Sequence, residues 1–177
     1  QRQMCIRDSL STAADSTKDA LAQDKKEVET FLNNVANSVV KDGSAYSAIK
    51  MAVPADYFKQ TEDEFSAYTK TLDPSDEAYG MTFEQFIDAL LSAQIKSITN
   101  SVQSIKISVA DLSDCKSKLT ADQKQMYASC GDIAKAYIAK IKSDVTFKPG
   151  ADTSGYNTDD LGKITVVNAG GNWYIAG

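Results

Sequence analysis

Apolar side chains recur every three or four residues up to Ile98 and every second residue from Ile105 onward. The first period places side chains along one face of a helix, the second along one face of a strand. A block of helices followed by a block of strands leaves few ways to bury both apolar faces. The expectation is an α+β fold, with N-terminal helices packed on a curved antiparallel sheet. The 177 residues suffice for one domain with a real core, or one domain plus a tail.

The helical block divides at its punctuation. Val28, Phe31, Leu32, Val35 and Val39 keep helical spacing until Lys41-Asp42-Gly43, where the glycine stops the helix. Ser44 is placed to cap a short helix bearing Tyr46, Ile49 and Val53, which ends before Pro54. Phe58, Phe65, Tyr68 and Leu72 mark a third helix, closed by the turn Asp73-Pro74-Ser75-Asp76. Thr82 and Gln85 form a capping-box pair ahead of Phe83, Phe86, Ile87, Leu90, Leu91, Ile95 and Ile98. That apolar face is the widest in the chain, so this segment is expected to be the main packing helix.

In the strand block Ile105, Ile107 and Val109 alternate with Lys106 and Ser108. Thr120 and Gln123 form a second capping box, opening a short helix that ends near Cys130-Gly131. Tyr137, Ala139, Ile141, Ser143, Val145 and Phe147 then share one strand face, with Lys140, Lys142, Asp144 and Thr146 on the other. After a loop from Pro149 to Asp160, Ala169-Gly170-Gly171-Asn172 predicts a hairpin turn between a strand through Ile164 and Val166 and one through Trp173 and Ile175.

The first residues stand apart. Both arginines, Arg2 and Arg7, fall within the first seven positions, and every other basic residue from Lys18 to Lys163 is lysine. Gln1-Arg2-Gln3-Met4-Cys5-Ile6-Arg7-Asp8 resembles the in-frame translation of a transposase sequencing adapter. Residues 9–23, polar and without an apolar period, are expected to form a flexible linker. Residues 24–177 are expected to form a single α+β domain.

Composition excludes several functions. The net charge of −5 argues against a nucleic-acid surface, which needs clustered Lys and Arg. With no histidine, the commonest general base and the commonest zinc ligand are both missing. No phosphate-cradling, dinucleotide or nucleophile-elbow motif occurs, so no catalytic, cofactor or metal residue is assigned. Asp152, Asn157, Asp159 and Asp160 share a loop, but their spacing is not that of a calcium-binding loop, and a solvated acidic loop is the reading. Glu62, Asp63 and Glu64 point in different directions from one helix and form a solvated face. Cys115 and Cys130 flank a predicted helical turn. Either they form a disulfide, worth about 3 kcal/mol for a loop of that size, or they are two reduced thiols. A reactive thiol is disfavoured, because Cys130 sits at a helix C-terminus, where the dipole raises rather than lowers a thiol pKa.

Three stretches together resemble the NTF2-like (cystatin-like cone) superfamily, in particular secreted lipoproteins of Gram-positive gut bacteria. They are the helix Val28 to Gly43 with its Lys-Asp-Gly break, the strands around Lys106–Val109 and Ala134–Phe147, and the terminal hairpin Val166 to Ile175 with its Gly-Gly-Asn-Trp-Tyr turn. The resemblance implies a bent sheet wrapped on a helix, leaving a cone whose mouth binds a small ligand, a peptide or an envelope protein. Tyr137, Trp173 and Tyr174 are then the candidates to line that cavity. It also implies a non-catalytic exported domain at the cell surface, touching a membrane only through an N-terminal lipid anchor. The alternative is a His-free cone-fold enzyme, isomerase-like or dehydratase-like, working through Asp and Tyr.

Overall fold

A computed structural model describes residues 4–153 and 162–176 of the chain. Among the described residues six α-helices precede or interrupt a four-stranded antiparallel sheet with strand order β1-β2-β3-β4. The α+β expectation is therefore met, with the helices first and the sheet after them.

Helix α1 runs from Met4 to Asp42, straight through residues 9–23. The expected linker is helical instead. The reason is local: residues 9–22 hold four alanines and neither glycine nor proline, and a helix nucleated further along extends backward without paying for a second nucleus. Residues 18–23 of the helix are exposed, and Asp24 is buried. At the other end Gly43, at φ 65°, donates its N–H to the Val39 carbonyl at 3.0 Å, a left-handed glycine cap.

Helices α2 (Ala45–Ala52) and α3 (Ala55–Thr69) are separated by the buried Pro54. Ser44 occupies the N-cap position of α2, but its hydroxyl bonds the Asp88 carboxylate rather than the helix end. Helix α4 (Phe83–Leu90) opens on the Thr82/Gln85 capping box, and α5 (Ser92–Ser101) follows after one residue. That residue, Leu91, sits at φ −102°, ψ 9°, and its N–H is shared between the Ala89 and Ile87 carbonyls, so the expected single helix is broken there. Nor is this segment the main packing helix. Its Phe83 and Phe86 join Tyr46, Phe58 and Phe65 in a chain of ring contacts with centroids 4.9–5.8 Å apart, a small aromatic core among α2, α3 and α4. Leu90 is 63% exposed.

The helix on the sheet is α1. Its Val28 and Leu32 pack with Val109, Leu112, Ala139, Val166 and Trp173. These come from β1 (Val102–Asp114), β2 (Ile133–Phe147), β3 (Gly162–Ala169) and β4 (Asn172–Ala176). A register shift between Val109 and Asp111 inserts one extra residue in β1, which keeps both Val109 and Leu112 on the α1 side although they are three apart. The opposite sheet face is covered in part by the β1–β2 connection, which holds the second capping box and α6 (Ala121–Met126). Cys115, Leu119 and the fully buried Tyr127 pack there on Ala136, Val167, Ala169 and Ala176. Beyond that cover Lys140, Lys142, Asp144 and Thr146 stand exposed, as the alternation predicted.

Helix α1 also closes the outer edge of β1. The Lys25 ammonium donates to the Ala110 carbonyl at 3.0 Å, and the Glu29 carboxylate accepts the Val109 N–H at 2.7 Å. Asn33 bonds both the N–H and the carbonyl of Ile107, at 2.8 and 2.7 Å. Asn37 does the same for Ile105, at 3.1 and 2.7 Å. The match is geometric: four helical residues rise about 6 Å, close to the roughly 6.7 Å of two strand residues. A polar stripe at every fourth helix position therefore stays in step with the outward backbone groups of a strand.

Candidate functional site

The first half of α1 meets β2 and β4 in a connected polar cluster. Asp24 is buried, and one carboxylate oxygen accepts from the Lys135 ammonium at 2.5 Å. The other accepts from the Tyr137 hydroxyl at 2.8 Å. Burial, then the bond to Asp24, pushes the Tyr137 phenol well above its ordinary range, so it stays a donor at neutral pH. The Tyr137 ring stacks on the Trp173 indole with centroids 6.0 Å apart. The indole N–H donates to Glu27 at 3.1 Å, and the second Glu27 oxygen accepts from Gln23 at 2.8 Å. Those two bonds, Gln23 first, hold the Glu27 carboxyl below the usual carboxylate range.

Beside this cluster lies an open groove of about 680 Å³ between α1, the α2–α3 junction and the β3–β4 hairpin. Trp173 and Tyr174 line one side, the Tyr174 ring itself turned to Tyr127 and Cys130 on the other sheet face, while Phe31, Met51 and Val53 supply apolar surface and Lys26 and Lys50 supply cations. Lys50 is held over the Tyr46 and Phe58 rings at 5.7 and 5.9 Å. Glu27 is the one carboxylate among the residues described as lining the groove, and both its oxygens are bonded. Of the three aromatics singled out in the sequence, Trp173 and Tyr174 reach the groove. Tyr137 stands behind Trp173 and fills the space between α1 and the sheet. Glu27, Lys26 and Lys50 were not singled out, and their only signal was charge on the helix side facing the apolar hairpin.

Cys115 and Cys130 are both free thiols, so the disulfide is not formed. They share one apolar cluster under the β1–β2 connection, which explains their proximity in sequence to the same turn without a bond. Burial raises the Cys115 thiol above its ordinary pKa, and Cys130 contacts the Tyr174 hydroxyl at 3.6 Å. The acidic triplet on α3 is paired off: Glu62 with Tyr46, Asp63 with Lys59 at 2.9 Å, Glu64 with Gln60 at 2.7 Å. Of the acidic loop, Asn157, Asp159 and Asp160 lie outside the described residues. Among the described residues no three His, Cys, Asp or Glu side chains converge, and no helix is long and apolar enough to cross a membrane.

The Asp24–Tyr137 pair is the nearest approach to the acid–base chemistry of a His-free enzyme. Lys135 neutralises the carboxylate, both oxygens are engaged, and neither residue lines the groove. The arrangement clamps α1 to β2. Comparison of the chain with known protein families, with curated protein sequences and with solved structures finds no match.

Proposed function

We propose that this domain is a non-catalytic binding module of an exported bacterial protein, built on an NTF2-like cone whose rim carries the site. The ligand sits in the groove between α1, the α2–α3 junction and the terminal hairpin, and is a small molecule or peptide with an apolar body and a negative charge. The observation that carries this reading is the chemistry of the groove: an indole on one wall with Phe31 and Met51 beside it, two lysines, and its described carboxylate already bonded to Gln23 and Trp173. A cationic ligand would find no free partner there, whereas an anionic one finds two.

Trp173 is the only tryptophan in the chain, so its emission reports the groove alone. Titration with 2-naphthoate, a planar apolar anion, is expected to change that emission saturably, and Lys50→Glu to weaken binding about tenfold, or 1.4 kcal/mol. An unsaturable response that is unchanged in Lys50→Glu overturns the site. The cell-surface placement and lipid anchor are tested separately by reading the gene upstream of Ser9. A basic segment, a short apolar stretch and a small-residue cleavage site before a cysteine are expected there.

A further inference from the structure

The two outer strands of the sheet are treated differently, and the difference bears on what the groove receives. Along β1 the N–H and carbonyl groups of Ile105 and Ile107, the N–H of Val109 and the carbonyl of Ala110 are bonded by α1 side chains. On β4 the Gly170-Gly171 turn, at φ 58° and 83°, makes Ala169 and Asn172 a bonded pair. The backbone of Trp173, one residue on, then points away from β3, as does that of Ile175. The Ile175 carbonyl is met by the Tyr127 hydroxyl at 3.1 Å. Among the described residues nothing meets the N–H or carbonyl of Trp173, and this stretch of edge runs along the groove.

We propose that the Trp173 edge of β4 takes up an extended peptide segment of a partner protein as an added strand, with acidic side chains of that segment reaching Lys26 and Lys50. This rests on the groove reading above and names its occupant. Main-chain bonds to Trp173 would supply the register, and the groove would receive alternate side chains, since successive residues of a strand point to opposite faces. Charge selects the partner. The groove offers two cations and a fully engaged carboxylate, so flanking Glu or Asp is favoured and Lys or Arg repelled. A second copy pairing edge to edge would bring Lys26 and Lys50 against their own duplicates, which disfavours self-association through this edge.

The test uses acetyl-Glu-Thr-Val-Thr-Glu-amide on the full chain, read by Trp173 emission and by hydrogen exchange at the Trp173 amide. Saturating peptide is expected to slow that exchange about tenfold or more. Methylation of the central valine nitrogen is expected to weaken binding about tenfold, and so is replacement of both glutamates by lysine. Lys26→Glu combined with Lys50→Glu should reverse the charge preference in a protein that still folds cooperatively, its unfolding midpoint lowered by the loss of the Lys50 contacts with the Tyr46 and Phe58 rings. Equal binding of the N-methylated peptide with unchanged Trp173 exchange overturns strand addition, although the groove still binds. Loss of all peptide binding while 2-naphthoate still binds overturns it too. A protein that sediments as a dimer dissociated by the Lys-to-Glu changes or by added peptide overturns the partner in favour of a second copy. Failure of naphthoate and peptides alike removes the groove reading itself.

Discussion

The β1 and β4 edges of the sheet show two answers to the same physical problem. Any edge strand exposes a row of amide and carbonyl groups that another chain can pair with. At β1 the chain uses its own helix: Lys25, Glu29, Asn33 and Asn37 present donors and acceptors at the spacing a neighbouring strand would present them. At β4 protection is partial, with Tyr127 on Ile175 and an open groove beside Trp173. Where a fold spends four side chains to close one edge and leaves the other beside cations and aromatic rings, the open edge is the place to look for a partner.

The largest expected effect comes from opening the closed edge. Asn33→Ala with Asn37→Ala strips partners from both the N–H and the carbonyl of Ile105 and of Ile107. Water replaces some of those bonds, so a loss of about 3–4 kcal/mol is expected in urea unfolding, near 1 kcal/mol for each orphaned group. The variant should also self-associate, because a long flat edge is now bare. Asn34→Ala, one position along on the exposed side of the same helix, should stay within about 0.5 kcal/mol of the parent. If the double variant is as stable and as monomeric as Asn34→Ala, the helix is not what protects β1.

Much of this contrast was hidden in the sequence, and the reason is physical. Signals that act within a few residues were legible: both capping boxes, the Gly43 stop, the Gly-Gly hairpin and the alternation of β2 stand where the pattern places them. Signals that depend on what a residue meets across the fold were not. Lys25, Glu29, Asn33 and Asn37 look like an ordinary solvated stripe until β1 is laid against them. The Phe83–Ile98 face looks like the core helix, yet its phenylalanines serve an aromatic cluster among helices while the less apolar α1 takes the sheet. Residues 9–23 lack an apolar period and residues 18–23 are exposed, which says little about whether they are helical. For the site, Trp173 and Tyr174 were legible as aromatics on a terminal hairpin. Lys26, Glu27 and Lys50 were not, since charge on a helix reads the same facing solvent or facing a groove.

A middle-sized effect separates the two glycines that hold β4 in place. A Cβ at Gly170 would lie 2.3 Å from the Cys130 carbonyl oxygen, a backbone atom that cannot swing aside. At Gly171 a Cβ meets nothing within 4 Å, and only the left-handed φ of 83° resists it. Gly171→Ala should therefore cost about 1 kcal/mol, the steric penalty of that region. Gly170→Ala should cost about 2–3 kcal/mol, because the hairpin must also move off the β1–β2 connection. Thermal unfolding of the two variants side by side checks the order. Equal losses would mean that the contact with Cys130 yields freely and the β4 edge is not pinned from below.

The smallest effect sharpens the comparison at the level of one carboxylate. Glu27 and Glu29 sit two residues apart on α1, one bonded to the Trp173 indole beside the open edge, the other to the Val109 amide on the closed one. Because Gln23 and Trp173 hold the Glu27 carboxyl below its ordinary 4.5, folding favours its charged form. Its contribution is therefore complete above that unfolded-state value and disappears as pH falls through the lower folded-state value. The parent and Glu27→Gln proteins should differ most in unfolding free energy above pH 5 or so, and their curves should draw together on acidification. The shift of Trp173 emission in the parent should follow the same window. A constant offset between the two proteins down to acid pH would mean that Glu27 holds the indole by shape alone. The wall of the groove would then owe nothing to charge, and the two edges would differ only in what covers them.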